Sequence, residues 1–219
     1  MSMTILYEDN HLLIVEKPVN MPVQADASGD EDLLGLLKAY LKRRYDKPGD
    51  VYLGLVHRLD RPAGGCVAFA RTSKAAARLS AALREGLMER VYEAVVQGDT
   101  PEQGVLVGYL LKDDKTNTTS VVPEGTPGAK RAELSFERAA CADGLSLLRV
   151  KLGTGRSHQI RVQCAHAGLP LWGDARYGGG KPGEQLALWA ASLSFPHPTK
   201  GEVVRVESRP PIAYPWTIF

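Results

Sequence analysis

Short apolar runs separated by clusters of turn-forming residues dominate the pattern of hydrophobic and polar positions along this chain. Runs of this kind, bounded by Gly, Pro, Asn or Asp, are typical of β-strands. Their positions predict strands at Thr4–Tyr7, Leu12–Glu16, Leu53–Val56, Cys66–Ala70, Val91–Gln97, Ala132–Phe136, Leu145–Lys151, Leu186–Phe195 and Val203–Val206.

Three other segments carry apolar residues at helical spacing. The first helix is predicted to begin with Asp30 as its N-cap and to stop at Pro48-Gly49. The second is Ser73–Arg84, and the third is Ser157–Ala167.

Strands outnumber helices in this pattern and do not alternate with them one for one. That order indicates an α+β fold with a mixed, largely antiparallel sheet core and flanking helices. The polar segment Lys112–Gly128, rich in Thr, Pro and Gly, is predicted to be a flexible connection or a substrate-facing loop.

The composition is that of an ordinary globular protein, with 219 residues, 44% hydrophobic and 24% charged. No apolar run is long enough to cross a membrane, and the start of the chain lacks the features of a secretory signal. The cysteines Cys66, Cys141 and Cys164 have no metal-ligand spacing and cannot all pair, which favours a reducing, cytoplasmic location.

The net charge is only +2, but its distribution is uneven. Six arginines and lysines lie between Val56 and Arg84 against Asp60 alone. A second group has one acid, Asp46, among five cations: Lys38, Lys42, Arg43, Arg44 and Lys47. Such groups suit a polyanionic partner such as RNA, and they suit solvated helix surfaces equally well.

The sequence lacks the motifs that bind nucleotide cofactors or metals. The glycine-rich stretch at 173–182 lacks the Lys-Ser/Thr ending of a P-loop, and no Gly-x-Gly-x-x-Gly follows a strand. The five histidines are scattered, so a zinc site is rejected. We therefore predict neither a cofactor nor a metal.

Two polar segments carry candidate chemistry. The loop His57-Arg58-Leu59-Asp60-Arg61 surrounds one carboxylate with cationic neighbours, which favour an ionised nucleophile, although Asp60 could simply neutralise the arginines. In Gly153–Arg161, Arg156 lies at the start of the third helix, where a guanidinium can bind a carboxylate or a phosphate, or remain an ordinary surface group.

Together these segments resemble the RluA-type pseudouridine synthases. The catalytic-loop signature corresponds to residues 56–65 followed by Phe69-Ala70-Arg71-Thr72, and the later arginine motif to Thr154–Val162. Further motifs follow in the family's order: Val15–Pro18, Arg90–Val95, Trp172-Gly173-Asp174 with Tyr177-Gly178, and Leu193–Glu202.

The resemblance implies an enzyme, in a single catalytic domain over residues 1–219, that isomerises uridine in ribosomal or transfer RNA without a cofactor. Asp60 matches the catalytic aspartate, which attacks either the ribose or the uracil ring. Tyr92 matches the tyrosine that stacks on uracil and assists removal of the carbon-5 proton, and Arg156 matches the arginine that pairs with the aspartate.

RNA contacts are assigned to Arg58, Arg61 and Arg161. Arg58 matches the arginine that enters the RNA where the target base has flipped out, a step that chemistry on a stacked base requires. We expect a monomer that binds neither DNA nor membranes, and no separate RNA-binding domain in front of the catalytic one.

The chain departs from the family at two places. Ala63-Gly64-Gly65 stands where Thr-Ser-Gly is usual, which predicts a looser loop, and Trp189 stands where His is usual. The altered loop leaves open an RNA-binding paralogue without catalysis. A glycosidic-bond hydrolase is the third alternative, weakened because no second carboxylate is evident near Asp60.

Overall fold

The structure, a computed structural model, describes residues 4–178, 180–181 and 183–219. Gly179 and Pro182 of the glycine-rich stretch lie outside the described residues. The chain divides into two compact units: the first comprises the chain up to Arg90 with Ala190–Arg209, and the second Val91–Trp189 with Pro210–Phe219. One catalytic domain over residues 1–219 stays a prediction.

Strands outnumber helices among the described residues, as the sequence pattern predicts. In chain order the elements are β1 (Ile5–Glu8), β2 (Leu12–Lys17), α1 (Leu33–Arg44), β3 (Gly54–Leu55), β4 (Gly64–Ala70), α2 (Ser73–Arg84), β5 (Glu89–Gln97), β6 (Gln103–Asp113), β7 (Thr118–Val122), β8 (Lys130–Ala142), β9 (Leu145–Leu152), α3 (Gln159–His166), β10 (Leu188–Pro196), β11 (Val203–Glu207) and a 3₁₀ turn at Trp216–Ile218.

In the first unit, β2 lies between β1 and β4 and pairs antiparallel with both. The two-residue β3 pairs with the end of β4, and β10 pairs with β11. Leu12 to Val15 are fully buried, which explains their continuous apolar run. The helix α2 contributes Ala75 and Leu79 to the core, where they join residues of β2, β4, β10 and β11.

The helix α1 begins two residues later than predicted, because Asp32 and not Asp30 is its N-cap. The Asp32 carboxylate accepts the Gly35 N–H at 3.0 Å, whereas Asp30 is ion-paired with Arg61. The helix ends at Arg44, before Pro48-Gly49. Cations in its last turn complement the helix dipole, so part of the basic cluster has a structural role.

In the second unit, the strands follow the order β5-β9-β8-β6-β7 with antiparallel pairing throughout. The helix α3 packs on β6 and β7, and its Val162 meets Leu110 and Ala132 in a buried cluster.

The flexible connection predicted at Lys112–Gly128 is wrong for much of its length. The strand β6 ends at Asp113 and β7 pairs with it, from Asp113 opposite Thr118 to Tyr109 opposite Val122. These strands are held in the sheet by backbone hydrogen bonds, which any residue can make. Because their side chains are polar, a search for apolar runs does not detect them.

The predicted α+β class with a largely antiparallel sheet is confirmed. Within the described residues, every helix is too short or too polar to traverse a lipid bilayer.

Candidate active site

Asp60 lies in the loop between β3 and β4, within the first unit. The Ala63 N–H donates to the Asp60 carbonyl oxygen at 3.1 Å, which closes a backbone turn from Asp60 to Ala63. Gly65 follows with φ +108°, and a Cβ there would lie 2.3 Å from the Ala190 carbonyl oxygen. Ala63 and Gly64 are both buried, so the departure at these positions is packed and does not form a loose segment.

His57 fixes the beginning of this loop to β4. Its Nε2 accepts the Ala68 N–H at 3.0 Å, so the ring carries its hydrogen on Nδ1. Burial, assisted by the Arg90 cation, lowers the pKa of His57 to about 4. His57 is therefore neutral near pH 7 and does not supply the positive charge that the sequence suggested beside Asp60.

Lys17, at the end of β2, fixes the other end of the loop. Its side chain is 0% exposed, and its Nζ donates to three main-chain oxygens, of Pro18 at 2.9 Å, Met21 at 2.7 Å and Arg61 at 3.0 Å. Burial lowers the pKa of Lys17 to about 7, although the Asp60 carboxylate acts in the opposite direction. Lys17 is thus only partly protonated near pH 7, and its charged form interacts electrostatically with Asp60.

Arg61 and Arg58, both predicted to contact RNA, lie on either side of Asp60. The Arg61 guanidinium binds the segment before α1: the Asn20 carbonyl at 3.2 Å, the Ser28 hydroxyl at 3.0 Å and the Asp30 carboxylate. It anchors this segment to the loop, and 41% of its side chain remains exposed. Arg58 is exposed.

Tyr92 lies on β5, in the second unit, opposite Val150 of β9. Its side chain is buried. Trp189, at the second departure from the family pattern, is also buried, at the start of β10.

The turn before α3 is built around the buried Gln159 side chain. Its Oε1 accepts the Thr154 hydroxyl at 2.7 Å and the Arg156 N–H at 3.0 Å, and its Nε2 donates to the Glu133 carbonyl at 3.0 Å. His158 adopts a left-handed conformation at the helix start. These bonds give the turn a defined shape.

The two arginines of this motif occupy different environments. Arg156 is exposed, and its Nε donates to the Arg131 carbonyl oxygen at 3.0 Å. Arg161 is buried, and its Nε and one terminal nitrogen bind the two oxygens of Asp174 at 2.8 Å each. Asp174 also accepts the N–H groups of Arg176 and Tyr177. The structure therefore places Arg161 away from the surface at which an RNA backbone would be contacted.

Comparison with known proteins decides the family. The family model described as RNA pseudouridylate synthase matches residues 11–166. An RNA pseudouridine synthase of Bacillus subtilis, YhcT, which its name calls uncharacterized, is 34% identical over 93% of this chain and 67% of its own. Ribosomal large subunit pseudouridine synthase C of Escherichia coli K12 is 35% identical over 93% of this chain and 65% of its own. The chain belongs to the RNA pseudouridylate synthase family.

A solved structure shares the fold. Human RNA pseudouridylate synthase domain containing 4 aligns with a TM-score of 0.79 at 20% identity, covering 95% of this chain and 88% of its own. The resemblance to RluA-type pseudouridine synthases is confirmed. The chain spans about two thirds of the length of the curated synthases named above.

Two features of this synthase-family chain escaped sequence reasoning. One is the role of Lys17, because nothing in the local sequence shows that its ammonium reaches Arg61, 44 positions later. The other is the pairing of Arg161 with Asp174, which the sequence does indicate: Arg161 lies on a helix face that also carries buried apolar residues. Buried arginines need a carboxylate partner.

The depressed pKa of Lys17 predicts how stability varies with pH. Between pH 7 and 10.5 the folded chain loses the Lys17 proton while the unfolded chain keeps it, so raising the pH through this window favours folding. We expect the free energy of unfolding to rise relative to that of Lys17→Met, by at most about 5 kcal/mol over the window. Denaturant unfolding of both proteins at several pH values measures the difference.

The variant serves as the control because methionine is similar in length and does not titrate. Parallel stability curves for the two proteins would show that folding does not lower the pKa of Lys17.

Proposed function

We propose that this chain is an RNA pseudouridine synthase that converts uridine to its C-glycoside isomer. In this reaction the bond between N1 of uracil and C1′ of ribose breaks, and a bond between C5 and C1′ forms. The C5 proton is lost and N1 gains one, so reactant and product have the same atoms and no oxidant or cofactor is consumed.

The observation that carries this proposal is the fixed loop around Asp60. A nucleophile is effective when its geometry is set before the substrate arrives. His57 binds the start of the loop to β4, Lys17 binds the Arg61 carbonyl immediately after Asp60, and the Ala63 N–H closes the turn. Asp60 is then the nucleophile toward ribose or uracil, and Tyr92 stacks on the uracil and assists removal of the C5 proton.

We propose to exchange the roles predicted for the two arginines of this motif. A guanidinium that orients a catalytic carboxylate acts most strongly where water is excluded, because the local dielectric is low there. Arg161 is buried and oriented by Asp174, whereas Arg156 is exposed. We therefore assign the catalytic cation to Arg161 and an RNA contact to Arg156.

Ribosomal RNA of the large subunit is the substrate we propose first. Two synthases similar to this chain, from Escherichia coli and Zymomonas mobilis, are named for that RNA. Transfer RNA is the alternative substrate, and the assay described below distinguishes the two.

Arg58, exposed beside Asp60, is proposed to enter the RNA where the base has flipped out. The cytoplasmic location and the monomeric state remain predictions.

Asp60→Asn is expected to abolish pseudouridine formation, by more than about 10³-fold, because the amide cannot act as the nucleophile. Mass spectrometry of large-subunit ribosomal RNA and transfer RNA transcripts incubated with each protein measures the product. Asp50→Asn, an equally conservative change at an exposed residue, is the matched control and should react like the wild type.

Two other results would contradict the proposed activity. Release of free uracil by the wild type would indicate a hydrolase. Tight RNA binding by a wild type that leaves every uridine unchanged would indicate a binding protein without catalysis.

The exchange of arginine roles makes its own prediction. Arg161→Lys keeps the charge opposite Asp174 but loses the two-pronged geometry, so the rate at saturating RNA should fall about 10²-fold. Arg156→Gln should mainly weaken RNA binding. Single-turnover rates at increasing RNA concentration separate the two effects, with thermal unfolding to confirm that both variants fold. A large loss of saturating rate in Arg156→Gln, with Arg161→Lys near normal, would restore the assignment made from sequence.

A further inference from the structure

A cavity of about 360 Å³ lies on the second unit, between the β6–β7 hairpin, the start of β8 and the turn before α3. Its lining includes three cations, Lys112, Lys130 and Arg156. One acid, Asp114, also lines it, 85% exposed and 2.5 Å from the Lys112 ammonium. The lining therefore keeps an excess of positive charge.

Strand register explains why these groups converge. Lys112 of β6 is directly opposite Thr119 of β7, and Leu110 of β6 is opposite Lys130 of β8. Residues two apart on a strand, and residues directly opposite on paired strands, share one face of a sheet. Both lysines and Thr119 thus project from the same face of the three strands.

The third cation comes from the turn above that face. The Arg156 N–H is bound by Gln159, and its Nε donates to the Arg131 carbonyl oxygen at 3.0 Å. A guanidinium has five N–H donors in one plane, so this single bond orients the group and leaves donors for a ligand. Gly155 and Ser157, on either side of it, also line the cavity.

Thr119 provides an independent sign of a ligand. The residue is 3% exposed, yet among the described residues its hydroxyl oxygen has no hydrogen-bond partner. Its backbone is well satisfied, because the Thr119 N–H donates to the Tyr177 hydroxyl at 2.9 Å, which lies 2.7 Å from His158 Nδ1. A buried, unpaired hydroxyl is costly, and a bound acceptor oxygen would remove that cost.

We propose that this cavity binds a backbone phosphate of the substrate RNA. A phosphodiester offers two acceptor oxygens that share one negative charge, which suit a planar guanidinium fork, two ammonium groups and one hydroxyl donor. The proposal deepens the proposed function, on which its choice of RNA rests. The proposed site accounts for the exposure of Arg156. It also places the Lys112–Gly128 segment against the substrate, which is one of the two roles predicted for that segment.

The test measures affinity for a large-subunit ribosomal RNA transcript at several salt concentrations. Thr119→Val replaces the hydroxyl with a methyl group of similar size and should weaken binding about tenfold, with Thr119→Ser restoring it. The double variant Lys112→Gln/Lys130→Gln should lower the salt slope of log K by about 1, because one phosphate contact is lost.

Matched controls lie on the same hairpin. Ser120→Val changes the neighbouring residue, which faces the opposite side of β7, and Lys115→Gln removes an exposed cation at the hairpin turn. Both should bind RNA like the wild type. Thr119→Val should unfold at the same or a higher temperature than the wild type, since its hydroxyl makes no bond in the free protein.

The outcomes separate this proposal from the proposed function. If the wild type modifies RNA while the Thr119 and lysine variants bind it normally, the phosphate site is refuted and the enzyme assignment stands. If the wild type binds RNA in a Thr119-dependent way but makes no pseudouridine, the site stands and the enzyme assignment fails. Absence of both binding and modification refutes both proposals.

One further arm identifies the source of the phosphate. Inorganic phosphate alone is titrated into the wild type and Thr119→Val, and NMR shifts of the hairpin amides are followed. Binding of free phosphate that depends on Thr119, together with RNA affinity that does not, would overturn the proposal in favour of a small anion site.

Discussion

The contact between the Lys17 ammonium and the Arg61 carbonyl oxygen joins the end of β2 to the loop that carries Asp60. A fully buried ammonium has no water to bind, so its N–H groups must donate to protein acceptors. Lys17 donates to three main-chain oxygens. If the loop moved away, a buried amine donor would lose its acceptor, the Arg61 carbonyl oxygen. With His57 fixed to β4 at the other end, this constraint sets where Asp60 can be.

The charges around the loop are divided between structure and chemistry. His57 is neutral near pH 7, and Arg61 is directed toward Ser28 and Asp30. Lys17 is an interior amine with a pKa of about 7, and the Asp60 carboxylate favours its charged form. In the second unit, the Asp174 carboxylate gives Arg161 a fixed orientation, whereas Arg156 faces a cavity rich in positive charge. The motif thus combines one interior and one exterior guanidinium five positions apart.

Much of the fold was predictable because its signals are local. The buried run of β2 and the bounds of α2 match the prediction closely, and the motif order identified the family. The N-cap at Asp32, the strand β7 and the partner of Lys17 were not predictable, since each depends on contacts distant in sequence or on backbone bonds that any residue makes. The same reason applies to Arg156 and Arg161, which sequence alone could not separate by burial.

The central claim is that Lys17 positions Asp60 for reaction. The most direct test is the rate of pseudouridine formation at saturating RNA for Lys17→Met, measured under conditions where the variant is folded. A displacement of a catalytic group by about 1 Å can cost 10²-fold in rate, so we expect a loss of that order with RNA affinity nearly unchanged. A saturating rate equal to that of the wild type would contradict the account.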